Sequence, residues 1–580
     1  MRILRCTIKN FRGFDQLEVL PRGHVLLVGE PRSGRSDLLG ALGKLFERDQ
    51  TRLDELDFHG RDLSRAIEIE ATLGGLDTSL QQRFLDELEL WDGQQHVLIG
   101  ELDDPAAIPP GAEAVLRIAY LGRWDGVEER AVQNVYWAKS SDPSTDTLHR
   151  VSRDDRSAFP FHRLAPGRPL NLAPRGLLRS ALGVSEAEAL GDALREMAEG
   201  IEGLSADLSQ SAPVVGALEA TINVLRPYLG VDAPVGDVVR FLPDDGSLAA
   251  LLRALQPAFD LDDGAGHLAL PRHGSTTSAQ VSAAEAIATA TPAHAVVVVD
   301  DYGDTLDAST AQRLAALLRR ASGQVWLSTR RPETARSFEP TELIRLTASR
   351  PAAAAPRTAW YGSEPATKGE RLAARELHRL VLPAMTARAL IVVEGQHDAV
   401  AYDVLAERLD TEAGVLPPEA FGVRLIEPGP QGGIDAVVRI AELGRSLGFR
   451  TVALVDYDHD AAMAAARLAS LMAAADSVVR LPHGYAIERA IVAGLPDADI
   501  VAALTDLSSV YSMPLPTGWQ SLTGASLADE TVRTLKSNGG LHAPFLRTLP
   551  NVLPPVATEA LARALDCARC LTQDAHVQLA

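Results

Sequence analysis

The chain has 580 residues and a mass of 61.9 kDa, enough for about three to five structural units of roughly 100–200 residues each. Its composition, 46% hydrophobic and 23% charged, excludes a wholly disordered chain, and its longest apolar runs, Ala295–Val299 and Ala389–Val393, fall far short of the ~20 residues of a membrane span. A formal charge of −21 argues against a passive coat for nucleic acid, yet it leaves room for an enzyme that meets phosphates through metal ions or a local basic stripe.

Met1–Phe14 alternates apolar and polar residues without the apolar core of a signal peptide, so secretion is not expected. The three cysteines, Cys6, Cys567 and Cys570, make no disulfide framework, and a reducing cytoplasm is the expected location. Cys567 and Cys570 have zinc-like spacing but no second ligand pair, so they read as small residues of a last helix.

In chain order, residues 1–174 open with strands at Ile3–Ile8, Leu17–Leu20 and Val25–Val28, a helix from about Ser36, and a strand at Ile67–Leu73. Residues 175–235 carry amphipathic helical runs, Val184–Leu204 and Val214–Leu229, expected to form a dimerisation insert. Residues 236–347 return to strand and helix around Ala295–Val299. A stretch rich in Ala, Pro, Ser and Thr then forms a linker and connecting helix over 348–379. From 380 to 580 a second alternation has strands at Ala389–Val393, Val423–Ile426, Thr451–Val455 and Val478–Leu481. Short apolar strands separated by helices predict parallel sheets, hence an α/β fold.

Val25–Val28 is followed by Gly29-Glu-Pro-Arg-Ser33-Gly34-Arg35-Ser36 and an apolar helix. Such a loop turns backbone N–H groups toward a phosphate, and the next helix adds its dipole. Ser36 is placed to bind Mg²⁺; Arg35 stands where the phosphate-loop pattern has Lys. Arg keeps the charge but is bulkier. Because only five of the 56 basic residues are lysines, compositional drift alone could account for it. His294–Val299 ends in Asp300, expected to hold Mg²⁺ through water, and Asp301, expected where ATPases carry the Glu that activates water. Gly274 and Ser275 open a helix in the manner of a turn that caps a partner's γ-phosphate. Arg330 ends a strand where a sensor His usually sits.

In the last third, Glu394 ends a buried strand in Val393-Glu394-Gly395-Gln-His-Asp398, with Asp398 one helical turn on. Asp456 and Asp458 end another strand. Parallel strands converge at one edge, so these acids are expected to meet there and to require a hard cation, Mg²⁺ or Mn²⁺. Asp460 is expected behind them, and His397 in packing. The segment Arg350–Arg388 holds seven basic side chains against Glu364, Glu370 and Glu376, a local excess that could steer a duplex.

Thr7-Ile-Lys-Asn-Phe-Arg-Gly-Phe14 followed by the glycine loop resembles the opening of the RecF/SMC-like branch of ABC ATPases. Joined to the Glu-Gly-x-x-Asp and Asp-x-Asp pair, the arrangement resembles the overcoming-lysogenization-defect (OLD) nucleases over nearly the whole chain. The resemblance implies an ABC-type ATPase domain with a helical dimerisation insert, followed by a C-terminal Toprim domain with a Rossmann-like parallel sheet. It implies Glu488 as an extra acidic ligand and Lys536 as a catalytic lysine. The implied activity is metal-dependent DNA cleavage, with Lys536 offsetting developing charge. It also implies ATP as ligand, DNA as substrate, a homo-oligomer (dimer or tetramer), and antiphage defence with a helicase-like partner, as in Gabija-type systems. Arg35, Asp301 and Arg330 depart from the ATPase pattern, so nucleotide binding is expected and fast hydrolysis is not. The alternative is a weakly hydrolysing RecF/SMC-like ATPase acting as a regulatory scaffold in DNA repair or defence.

Overall fold

The computed structural model describes residues 1–47, 52–102, 108–164, 192–193, 196–197, 199–200, 258–259, 267–269, 272–293, 295–348, 356–362, 367–368, 379–429, 432–458, 460–511, 515, 518–550, 552–572 and 575–580. The helices expected at Val184–Leu204 and Val214–Leu229 fall almost entirely outside the described residues, as does much of Arg350–Arg388. No helix among the described residues is long and apolar enough to cross a membrane.

Among the described residues three large sheets organise the chain, beside a two-stranded pairing of Ala258–Phe259 with Leu268–Ala269. The first is antiparallel and seven-stranded, in the order Phe14–Val19, Arg2–Phe11, Ile67–Gly74, Ala112–Asp125, Leu88–Asp92 and Val97–Glu101, with Arg130–Trp137 also on Ala112–Asp125. The second runs Thr358–Tyr361, Leu343–Thr347, Val25–Gly29, Gln324–Ser328, Val296–Val299 and Phe161–Leu164, and is parallel except at the Thr358–Tyr361 edge. The third is fully parallel: Val423–Ile426, Ala389–Val393, Arg450–Val455, Ser477–Arg480 and His576–Gln578.

Strands without polar alternation, such as Val296–Val299 and Ala389–Val393, are buried on both faces, as parallel sheets require. Their period of two sorts the cores. Val296 and Val298 face the antiparallel sheet with Leu38 and Leu42 of helix Arg35–Phe46, while Val297 and Val299 face the other way with Ala311 and Leu318 of helix Ala308–Ala321. That second core is continuous with one face of the third sheet through Leu390, Val392 and Ala453. The opposite face, through Ile391, Val393 and Leu454, packs helices Gln396–Ala413 and Pro555–Ala568.

One side chain pins the two parallel sheets together. Arg345, wholly buried in strand Leu343–Thr347, donates from Nη2 to the Ala387 carbonyl at 2.7 Å and from Nη1 to the Leu447 carbonyl at 2.9 Å. Its guanidinium lies 3.6 Å from the centre of the Phe449 ring. Both carbonyls stand just before a central strand of the third sheet. A buried guanidinium is stable only when its donors are used in this way.

Candidate active site

The chain leaves strand Ala389–Val393, adds Val423–Ile426 on one side, then crosses back to add Arg450–Val455 on the other. The crevice beyond the carboxyl ends of the two central strands is therefore the topological switch point, where open α/β sheets bind ligands. Glu394 and Asp456 are the first residues past those two ends. They are tied together, since the Asp456 N–H donates to Glu394 Oε1 at 2.9 Å. Asp398, 9% exposed, lies in the first turn of helix Gln396–Ala413, and its Oδ2 accepts the Gly395 N–H at 3.0 Å. The Gly433 N–H donates to the Glu394 carbonyl at 2.7 Å. A side chain at Gly432 would press on that same carbonyl, its Cβ at 3.0 Å and its φ at +27°.

Burial and mutual repulsion dominate the electrostatics. Burial, then Asp398 and Asp458, pushes Glu394 up to about 7 against the pull of the Asp456 N–H. Burial and Glu488 push Asp398 up to about 6. Asp456 lies well above the carboxylate range through burial and the charges of Asp398, Glu394, Asp458 and Glu488. Beneath them Tyr402 is fully buried, and burial and the three nearest acids raise its phenol further.

Glu488, in the short helix Ile487–Ala490, behaves differently. Burial raises its pKa, but His542, with a smaller contribution from Lys536, outweighs that and lowers it overall. His542 is 1% exposed; its Nδ1 lies 2.6 Å from the Gly539 carbonyl, and its Nε2 lies 3.5 Å from Glu488 Oε1. Burial alone would lower His542, yet Glu488, the Gly539 carbonyl and Asp398 raise it, favouring the charged ring. His397, exposed, stacks on His542 at 5.4 Å between ring centres.

The structure thus brings Glu394, Asp398, Asp456 and Glu488 to one edge, with Asp458 exposed on its rim and Lys536 exposed in the last turn of helix Gly524–Ser537. Asp460 has a simpler role than expected: its side chain caps helix Ala461–Ala474 by accepting the Met463 N–H at 2.9 Å. Spacing could not place His542, because it reaches the acids from another helix, His542–Thr548, whereas Tyr402 follows Asp398 by one turn of the same helix. Among the described residues no three His, Cys, Asp or Glu side chains already stand at the spacing of a metal site. The donor set is nonetheless all carboxylate oxygen, and the repulsion that Arg467 and His542 offset only in part is what a hard divalent cation relieves.

The glycine loop lies at the carboxyl end of Val25–Gly29. Gly34 caps helix Arg35–Phe46 at φ +93°, and a Cβ there would meet the Phe14 ring at 2.6 Å. Ser33 Oγ is buried with no hydrogen-bond partner, and Ser36 is exposed. Beside the loop, Ser328 Oγ donates to Asp300 Oδ1 at 2.5 Å, and the Asp301 N–H donates to Ser328 Oγ at 2.8 Å. Arg35 Nη1 donates to the Thr329 carbonyl at 2.9 Å; burial lowers its pKa, partly opposed by Asp301. Asp301, at φ +46°, lies 3.7 Å from Arg330 Nη2, which holds Asp304 at 2.7 Å. Gly274 and Ser275 are exposed at the start of helix Ser275–Ala293.

No family model matches the chain, and no curated protein matches it. Among solved structures it is similar to an SMC head bound to the C-winged helix domain of ScpA, at 12% identity and TM-score 0.35, over 64% of this chain and 100% of that one. It is also similar to the SMC head domain from Thermotoga maritima, at 12% identity and TM-score 0.28, over 63% of this chain and 100% of that one. With similarity this distant, function has to be argued from the residues of this chain.

Proposed function

We propose that the chain is a metal-dependent DNA endonuclease whose third sheet carries the hydrolytic site and whose glycine loop makes cleavage respond to nucleotide. The observation that carries this reading is the set of mutually repelling carboxylates, Asp398 buried and Glu394, Asp456 and Glu488 half-buried, at the switch point of a parallel sheet. Glu394, Asp398 and Asp456, with Asp458 and Glu488 beside them, would hold Mg²⁺ or Mn²⁺. The bound ions would supply activation of water and stabilisation of the leaving oxygen of a phosphodiester.

The protein groups have separable tasks. Asp456 and Glu394 are fixed to each other through the 2.9 Å backbone contact, so neither strand end can swing away alone. His542 holds Glu488 ionised, and Lys536 offers an exposed cation for a phosphate oxygen. In the second sheet, the Gly29–Ser36 loop would take the phosphates of ATP and Asp300 its Mg²⁺. Exposed Gly274 and Ser275 would face the nucleotide of a second subunit. With Arg330 engaging Asp301, the side chain in the water-activating position is drawn into an ion pair, which favours binding over turnover. Family resemblance adds antiphage defence and a helicase-like partner to this proposal.

The test is incubation of the purified protein with supercoiled and linear DNA, in Mg²⁺, Mn²⁺ or EDTA, with and without ATP. Cleavage that needs the metal and vanishes in Asp456→Ala, with circular dichroism unchanged, is the expected result. Cleavage retained in that folded variant would move the active site elsewhere.

A further inference from the structure

A second cluster stands on the rim of the carboxylate edge. Tyr457 lies in sequence between Asp456 and Asp458, and its backbone is cross-linked to the loop that leads to Glu488. The Tyr457 N–H donates to the Tyr485 carbonyl at 2.9 Å, and the Gly484 N–H donates to the Tyr457 carbonyl at 2.7 Å. On these joined loops and the ends of the strand and helix beside them, aromatic rings and basic side chains lie together. The Arg480 guanidinium sits 4.2 Å from the centre of the Tyr457 ring, with its Nε donating to His576 Nε2 at 3.1 Å. The exposed His483 meets Tyr457 edge-on at 4.9 Å between ring centres. Arg489 lies 5.5 Å from the centre of the Tyr485 ring and is 47% exposed.

These cations do not neutralise the acids beside them. The groups acting most strongly on Asp456 are all carboxylates. Arg480 is turned to His576 and Tyr457, and Arg489 to Tyr485 and, at 3.2 Å, to Asp529. In a chain of net charge −21, a cationic and aromatic surface within one residue of the carboxylate edge needs a ligand that is anionic along its length and offers flat faces. A nucleic-acid strand has both properties, because its phosphates pair with Arg while sugars and bases lie against aromatic rings.

We propose that the Arg480–Tyr457–His483–Tyr485–Arg489 rim is the surface that holds the nucleic-acid backbone beside the carboxylate edge. The proposal rests on the nuclease reading and adds where the substrate lies. Tyr457 and Tyr485 keep the rim at fixed depth relative to Asp456 and Glu488, so a phosphate seated on Arg489 or His483 sets which neighbouring phosphate reaches the acids. The rim would act on affinity and register, and the acids on chemistry.

The experiment is fluorescence anisotropy of a labelled oligonucleotide, single-stranded or duplex, with the full chain in Ca²⁺ between 50 and 200 mM NaCl. Arg489→Ala combined with His483→Ala is expected to raise Kd about tenfold and to flatten the slope of log K against log salt by about one, the signature of a lost phosphate contact. Arg489→Glu should weaken binding further. Arg130→Ala, which removes an exposed cation from the antiparallel sheet, should leave both quantities unchanged. Both rim residues are exposed, and the Arg489–Asp529 pair is of the surface kind that contributes little to folding. If wild type binds and the rim variants match it in Kd and slope, or if Arg130→Ala weakens binding as much, the rim is not the surface. If wild type binds no nucleic acid, the nuclease reading falls and the rim with it.

Discussion

Replacing Glu394 by Gln should stabilise the metal-free protein at pH 8 and leave it nearly unchanged at about pH 4, below the ordinary value of the carboxyl. Glu394 is pushed from its ordinary 4.5 up to about 7, first by burial and then by Asp398 and Asp458. A carboxyl raised in this way binds its proton more tightly in the folded chain than in the unfolded one. The stability it contributes is complete below about pH 4.5 and is lost as pH rises through about 7. At 1.36 kcal/mol per unit, ionising it costs the folded state up to about 3 kcal/mol by pH 8, and less where the neighbouring acids share the protons. Gln keeps an oxygen for the Asp456 N–H, which now donates to Oε1 at 2.9 Å, so charge is removed without loosening the strand ends. Thermal melting in EDTA should therefore show the variant more stable at pH 8 by about 1–3 kcal/mol, or roughly 2–4 °C for each kcal/mol in a domain of this size. Mg²⁺ at pH 8 should narrow that lead, stabilising wild type by about 2.7 kcal/mol at a hundredfold excess over its Kd and the variant by less. A variant less stable than wild type at pH 8 in EDTA, or an equal gain at both pH values, would refute the idea that repulsion poises these acids for a cation.

Two further predictions concern the nucleotide loop. Arg35→Ala should weaken the response of cleavage to ATP, and to a non-hydrolysable analogue alike, while sparing cleavage without nucleotide; identical flat curves of nicking rate against ATP for both proteins would make the loop a structural relic. Arg388→Ala removes the partner whose Nε lies 3.2 Å from Glu30 Oε2, so it should leave nucleotide affinity within about twofold and shrink the effect of ATP on cleavage several-fold. An unchanged ATP response in that variant would show that this pair does not transmit the state of the loop.

Much of the secondary structure was legible, because its signals are local. The apolar runs at Val25, Val296, Ala389 and Thr451 are strands in the structure, and the residues that end them in Gly or acid stand at sheet edges. Elements whose partners are remote were not legible. Phe161–Leu164 is half polar, and only its pairing with Val296–Val299 makes it a strand. His576–Gln578 is three residues long and is held by Ser477–Arg480. In the candidate site, the acids could be read because strand-end spacing announces them. Asp460, two residues after Asp458, looks like part of the same cluster, and in the structure one of its oxygens caps the next helix, a role the spacing does not announce. His542 gave no usable signal, since its meaning lies in a 3.5 Å approach to Glu488 from another helix.

How a nucleotide could reach the acids also depends on pairings that no sequence pattern displays. Glu30, the second residue of the glycine loop, is 2% exposed; its Oε1 accepts the Ala348 N–H at 2.9 Å, and its Oε2 pairs with Arg388. Arg388 immediately precedes strand Ala389–Val393, which ends at Glu394. Arg345 meanwhile grips the carbonyls of Ala387 and Leu447, ahead of the strands that end at Glu394 and Asp456. The second sheet therefore touches the third sheet at the amino ends of its two central strands, and the carboxylates stand at their carboxyl ends. Strands buried on both faces in close-packed cores shift as units rather than bend. A ligand that changed the position of Glu30 would therefore act, through Arg388, at the start of the strand whose far end is Glu394. Because the Asp456 N–H bonds Glu394, a shift of one strand relative to the other alters the contact that sets the spacing of the acids. The ligand can bias that spacing only by the difference in its affinity for the two arrangements. On the proposed function, charged phosphates arriving beside Arg35 and Asp300 would change that difference most, with control at the loop and chemistry at the acids.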